Sequence, residues 1–140
     1  MTYALDTNTI IDVLNREAGA VRRFNSAVKD NTPMVIPSAV DYEISRGFYH
    51  TSIPRKEAVY NNMRLNCPVI DVNADVWDCA AQIWAKLRKK GLTIGDADIL
   101  IAAICIMNGC TLVTHNTKDF VNIDGLQFVN WVARGTEDDS

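Results

Sequence analysis

Four carboxylates, Asp6, Glu43, Asp98 and Asp119, each stand at or near the end of a predicted regular element. Asp6 closes the apolar stretch Tyr3-Ala4-Leu5, and Glu43 lies within Ser38-Ala39-Val40-Asp41-Tyr42-Glu43-Ile44-Ser45-Arg46-Gly47. Asp98 opens the apolar run Ile99-Leu100-Ile101-Ala102-Ala103-Ile104, and Asp119 follows Thr111-Leu112-Val113-Thr114 and the turn residues His115-Asn116-Thr117-Lys118. In an alternating β/α chain, acids at strand ends converge on one edge of a parallel sheet. Two carboxylates about 4 Å apart repel by roughly 4 kcal/mol at an effective dielectric near 20. Several such pairs call for a cation. Mg²⁺ or Mn²⁺ takes oxygen ligands of this kind and keeps some of its waters. An ion so held activates a water towards phosphorus and stabilises the leaving oxygen. Metal-dependent hydrolysis is therefore the chemistry to which this set points.

Singly, each acid has an ordinary use. Asp6 can cap a helix after a strand, and Glu43 can pair on the surface with Arg46, three residues on. Asp96 and Asp98 can favour the positive end of a long buried helix, with Asp96 as its cap. Asp119 can start a short turn of helix before Phe120.

The elements that must position these acids alternate along the chain. Tyr3 to Asp6 reads as a first strand, followed by a helix capped by Thr7 or Asn8 with Ile10, Ile11, Val13 and Leu14 on one face. Ala20 to Asp30 is a second helix, and Met34-Val35-Ile36 a buried strand between prolines. Ser38 caps a third helix ending near Gly47, and Arg55 to Met63 is helical. Pro68 to Val72 reads as a strand and Ala74 to Lys90 as a long helix ended by Gly91, its core face being Val76, Ala80, Ile83, Trp84 and Leu87. Asp96 to Asn108 is apolar nearly all round, so it is expected to lie buried against the sheet, with Gly109 as its C-terminal cap. Thr111 to Thr114 and Gln127 to Val129 are the last strands. The class is α/β, a mainly parallel sheet covered by helices on both faces. Asp6 and the Thr114–Asp119 loop are expected beyond its carboxyl edge.

A chain of 140 residues with 48% hydrophobic and 22% charged residues suits one globular domain. No basic stretch followed by an apolar one marks the N-terminus, so no signal peptide is expected. The longest apolar run, Ile99 to Met107, is too short for a membrane span. A cytoplasmic protein is expected. Cys67, Cys79, Cys105 and Cys110 form no C-x-x-C pair, and neither His50 nor His115 completes a zinc-ligand spacing with them; they are read as reduced thiols. The net charge of −3 and pI near 5.3 argue against nucleic acid taken alone. Basic residues nevertheless cluster at Arg22-Arg23, Arg55-Lys56 and Lys86-Leu87-Arg88-Lys89-Lys90. The last cluster reads either as a helix end favoured by the dipole or as a phosphate-contacting rim.

Four segments in order, Leu5-Asp6-Thr7-Asn8, Glu43-Ile44-Ser45-Arg46-Gly47, Asp98-Ile99-Leu100-Ile101-Ala102-Ala103 and Thr114-His115-Asn116-Thr117-Lys118-Asp119-Phe120, resemble the signature segments of PIN-domain ribonucleases. The chain is most similar to VapC-type toxins of bacterial toxin–antitoxin pairs. The resemblance runs from about Tyr3 to Val132 and includes Gly125-Leu126 and Asn130-Trp131. It implies a PIN-like three-layer α/β/α domain over residues 1–134, followed by a short acidic tail at 135–140. It implies Mg²⁺- or Mn²⁺-dependent endonucleolytic cleavage of RNA, tRNA foremost, by in-line attack of an activated water. It places Asp6, Glu43, Asp98 and Asp119 in the catalytic metal pocket, with Thr7, Asn8, Thr114 and Asn116 supporting it by hydrogen bonds. Asp98, three residues before Ile101-Ala102-Ala103, corresponds to the family's third acid, and Asp96 is an additional outer ligand or a cap. Arg46, His50 and Lys118 are candidate RNA contacts, with Phe48, Tyr49, Arg55 and Lys56 nearby. A cognate VapB-like antitoxin is implied, as is a homodimer; operator DNA would be met only through the antitoxin, and no membrane is involved.

Two other readings compete. A haloacid-dehalogenase-like phosphatase needs a second acid two residues after the first, where this chain has Asn8. A catalytically inactive PIN-like binding module would be expected to lack a pocket acid, and all four are present.

Overall fold

Neighbouring parallel strands need a crossover between them, and this chain supplies helices each time. Strand β1 (Thr2–Leu5) leads to α1 (Thr7–Leu14) and α2 (Ala18–Lys29), and β2 (Met34–Pro37) to α3 (Ser38–His50) and α4 (Pro54–Asn66). Strand β3 (Val69–Ile70) leads to α5 (Ala74–Lys89) and α6 (Asp96–Asn108), β4 (Cys110–Val113) to α7 (Thr117–Phe120), and β5 (Gln127–Val129) follows. In the computed structural model, which describes residues 1–132, the strands lie in the order β3-β2-β1-β4-β5. Every pairing is parallel, so the sheet is parallel throughout. All four residues of β4 are buried, as expected of a strand with helices on both of its faces. The α/β/α layering holds. The boundary at residue 134 and the acidic tail 135–140 lie outside the described residues.

Helix α6 packs its apolar surface against α5 and the sheet, with Ile101 and Ile104 fully buried. Truncating Ile101 to Ala leaves a cavity that the surrounding helices cannot close, and should cost about 3–4 kcal/mol. A urea titration should show a lower midpoint with an unchanged slope.

Several local expectations are corrected. Asp6, not Thr7 or Asn8, caps α1, its Oδ1 accepting from the Thr7 amide at 2.8 Å. Glu17 caps α2 through the amides of Gly19 and Ala20, so that helix starts two residues early. Ser38 is the first residue of α3 rather than its cap, and α3 continues past Gly47 to His50. Phe48 explains the continuation: its ring packs on Tyr60 of α4, 6.1 Å between centroids, and that contact outweighs the weak helix preference of one glycine. The third strand shrinks to two residues at the sheet edge. Trp84, expected in the core, is 45% exposed.

The directions of α5 and α6 decide what shares an edge with the acids. Helix α5 begins a few residues after β3 ends, at the carboxyl edge. Its far end is fixed by Lys90, whose Nζ lies 3.9 Å from Asp124, shortly before β5 starts at the amino edge. Helix α6 also ends at the amino edge, since β4 begins just after Gly109, whose φ of 64° closes the helix. The two helices therefore run in the same sense, and the segment from Gly91 (φ 75°) to Gly95 returns the chain to the carboxyl edge. The cluster Lys86 to Lys90 thus sits opposite the acids, which favours the helix-end reading over a phosphate rim for this group.

Candidate active site

Strands β1 and β4 are adjacent and in register, Leu5 beside Val113, so the residues that follow them meet. The Asp6 amide donates to the Val113 carbonyl at 3.0 Å, and the Thr9 hydroxyl reaches the same carbonyl at 2.9 Å. Asn8 bridges the two strand ends. Its Nδ2 donates to Asp6 Oδ2 at 3.3 Å and to Thr114 Oγ1 at 3.2 Å, while its Oδ1 accepts from the His115 amide at 3.2 Å. The Thr114 hydroxyl also accepts from the Asn116 amide at 3.0 Å and bonds the Asp6 carboxylate. Thr114 is fully buried and Asp6 only 4% exposed. Both are held rigidly.

The other acids arrive on helices. Glu43 comes from the second turn of α3 and accepts from Thr7 Oγ1 at 3.1 Å. Asp98 comes from the first turn of α6. Asp119 comes from α7, its Oδ2 accepting from Asn116 Nδ2 at 2.9 Å. Three of these charges bear on the fourth. Burial, and then the charges of Asp6, Glu43 and Asp119, push the Asp98 carboxyl from 3.8 up to about 6. Burial also raises Asp6; the Thr114 hydroxyl and Thr7 amide oppose it, Glu43 adds to it and His115 lowers it again. The donor set is entirely oxygen, and the mutual repulsion is what a hard divalent cation relieves. Among the described residues no group of three or more His, Cys, Asp or Glu side chains is arranged to hold an ion unaided.

Asp96 is not among the charges that raise Asp98. It lines a groove with Trp77, Ala80, Ala81, Trp84, Ile99 and Leu100, on the side of α6 that faces α5. Gly95 is the N-cap, so Asp96 is not the cap that its position suggested. Arg46 stands at the pocket lip, its guanidinium 3.9 Å from Glu43 Oε2 and stacked on the Tyr42 ring at 5.1 Å. Lys118 is exposed on α7 beside Asp119. His50 bonds its neighbour Thr51 at the far end of α3, about 10 Å along the helix from Glu43. Among the described residues all four cysteines are free, as expected.

Sequence reasoning passed over two participants. Thr9, only 3% exposed, ties Asn8 to β4, and His115 lies 3.3 Å from Asp12 on α1. Neither has a sequence signal, because both contacts reach across more than a hundred residues.

The model of the PIN domain family matches residues 3–126. The chain is 30% identical over 136 residues to Ribonuclease VapC2 of Rickettsia felis, covering 94% of this chain and 98% of that protein. It is 29% identical over 133 residues to the tRNA(fMet)-specific endonuclease VapC of Shigella flexneri, with coverage of 94% and 98%. Its fold is similar to a chain of VapBC2 from Rickettsia felis, solved bound to a DNA fragment from the promoter, at a TM-score of 0.85 and 28% identity, covering 94% of this chain and 99% of that one. DNA-bound VapBC from Salmonella typhimurium gives a TM-score of 0.83 at 28% identity, covering 94% and 98%.

Proposed function

The chain belongs to the PIN-domain family, and from that footing we propose that it is a VapC-type toxin, a divalent-metal-dependent endoribonuclease that cuts tRNA and so halts translation. One observation carries the reading: four acids from four separate elements come close enough that, on top of burial, the charges of Asp6, Glu43 and Asp119 all raise the Asp98 carboxyl, which reaches about 6. Asp6 and Asp98 are the principal ligands for Mg²⁺ or Mn²⁺, while Glu43 and Asp119 complete the site or orient water. When bound, the ion supplies the positive charge that offsets the phosphodiester and activates the attacking water. Thr7, Asn8, Thr114 and Asn116 keep the carboxylates aimed by the hydrogen bonds described above. Arg46 and Lys118 flank the pocket where RNA phosphates approach, and His50 stands too far along α3 to reach the scissile bond. Asp96 has no part in the ion's site.

The antitoxin fits beside the same pocket. A groove lined by Ile11, Leu14, Ile44, Phe48 and Ile53 opens directly onto Thr7 and Glu43. An apolar segment of a VapB-like antitoxin lying there would carry a basic residue into the acids and exclude substrate. Operator DNA is then contacted by the antitoxin, and the pair works in the cytoplasm. No helix among the described residues is long and apolar enough to cross a membrane.

Brief expression without antitoxin, followed by sequencing of RNA ends, tests the reading. New ends should gather at one position in the single-stranded loop of one or a few tRNAs, the kind of site that proteins read by shape and unstacked bases. They should vanish with Asp98→Asn. Intact RNA, with turnover of a small phosphomonoester by the purified protein, would favour a phosphatase instead.

A further inference from the structure

Helix α3 buries Val40 and Ile44, and its spacing leaves Tyr42, Arg46 and Tyr49 together on the opposite side. Tyr42 is 62% exposed and Tyr49 93%, so neither ring contributes to the core. Single exposed aromatic side chains need no explanation, but these two belong to a connected stripe. Between them stands Arg46, whose guanidinium lies over the Tyr42 ring at 5.1 Å and reaches Glu43 of the acid pocket at 3.9 Å. The stripe therefore begins at the pocket lip. Neither acid of α3 is free to repel a polyanion from it: Asp41 accepts from the Tyr60 hydroxyl at 2.6 Å and pairs with Arg64, while Glu43 accepts from Thr7. At the far end Tyr49 borders an open hollow of about 310 Å³ between α3 and α4, where Ser45, Asn61 and Arg64 present donors. The carboxylate on its rim, Glu57, accepts from the Ser52 hydroxyl at 3.0 Å.

We propose that this face is a stacking platform for single-stranded RNA, which carries the nucleotides flanking the cut away from the acids, along α3 and into the hollow beside α4. The inference rests on the endoribonuclease reading, and it adds which side of the pocket holds the substrate and by what contact. Every base has a π-face, so tyrosine rings hold an unpaired strand with little regard to its sequence. The arginine between them serves both a ring and a phosphate. Seven residues put the two rings roughly 10 Å apart along the helix axis, so each takes a different base of one strand. A paired strand keeps its bases stacked on one another and offers the rings little, and the face thereby selects a loop over a stem. The chemistry favours RNA over a protein as the occupant. The apolar groove of Ile11, Leu14 and Ile44 opens on the inner side of α3, whereas the outer side pairs exposed rings with the positive charges of Arg46 and Arg64.

Fluorescence anisotropy with a labelled oligoadenylate of about 12 nucleotides, within the usual site size of such surfaces, tests the proposal. The Asp98→Asn protein serves as the reference, so that the RNA stays whole, and a duplex RNA of the same length serves as the control. Tyr42→Leu and Tyr49→Leu should each weaken single-strand binding by about tenfold, the loss of one base stack. Duplex binding and circular dichroism should not change, since both rings are exposed. Tyr42→Phe and Tyr49→Phe keep the ring and should bind as the reference does. A chain that binds through these rings yet cuts no RNA when Asp98 is intact would sink the endoribonuclease reading and leave the platform standing. Three results would overturn the platform itself: single-strand affinity indifferent to leucine, equal losses on the duplex, or phenylalanine failing as leucine does.

Discussion

Asp6→Asn should leave the fold intact and slow RNA cleavage by at least about 10³-fold, roughly 4 kcal/mol of transition-state stabilisation. The substitution is nearly isosteric at a position only 4% exposed, so no cavity forms. The new amide oxygen can still accept from the Thr7 amide, which caps α1 at 2.8 Å in the parent. Its nitrogen replaces the oxygen that accepts from Asn8 Nδ2 at 3.3 Å, so that one long hydrogen bond is lost while the cap of α1 is kept. Removing a charge whose carboxyl is raised by burial relieves the metal-free fold instead of straining it. Structural and chemical roles therefore separate in one variant. Melting temperature and cleavage rate, measured on the same preparation, should move independently. A variant that cleaves at the parental rate would remove Asp6 from the chemistry, and an unfolded one would make its cap the dominant role.

The second large effect concerns stability and pH without metal. The Asp98 carboxyl is raised from 3.8 to about 6 in the fold. A raised carboxyl binds its proton more tightly when folded, so its contribution is fully present below about pH 4 and is lost as pH rises through about 6. The shift corresponds to at most about 3 kcal/mol, and solvent screening of a partly exposed group reduces this to about 1–2 kcal/mol. In chelator, Asp98→Asn should accordingly be more stable than the parent near pH 8, by about 3–6 °C in melting temperature for a chain of this length. The two should converge near pH 4. Adding Mn²⁺ near pH 8 should raise the parent's melting temperature and close much of that gap, because a cation answers the repulsion that the asparagine removes. Parallel curves for the two proteins across this range would mean that Asp98 carries no such repulsion.

The acids were legible because each lies in a short segment of recognisable order, and the parallel sheet then carries strand ends to one edge. What brings them into register was not. Asn8, Thr114 and His115 meet through bonds spanning more than a hundred residues, which only the pairing of β1 with β4 creates. Asp96 and Asp98 are two residues apart, so on a helix they point to different sides; spacing alone could not say which faced the pocket. The structure places Asp96 beside Trp77 and Trp84. Trp84 was misread for a related reason: apolar spacing puts it next to the core face of α5, but the wide side chain falls at the border where α6 leaves a groove. The cluster Lys86 to Lys90 needed the direction of α5, which is set by β3 and by the Lys90–Asp124 contact. Helix α3 outran its glycine because Phe48 found Tyr60. In each case tertiary packing decided what local preference left open.

The central claim is that these four carboxylates form one metal-dependent site that cuts RNA. Cleavage of a total tRNA pool by chelator-treated protein, followed as Mn²⁺ is titrated back, addresses it most directly. No cleavage in chelator and a saturable rise with added ion are the predicted results; cleavage at an undiminished rate in chelator would contradict the account.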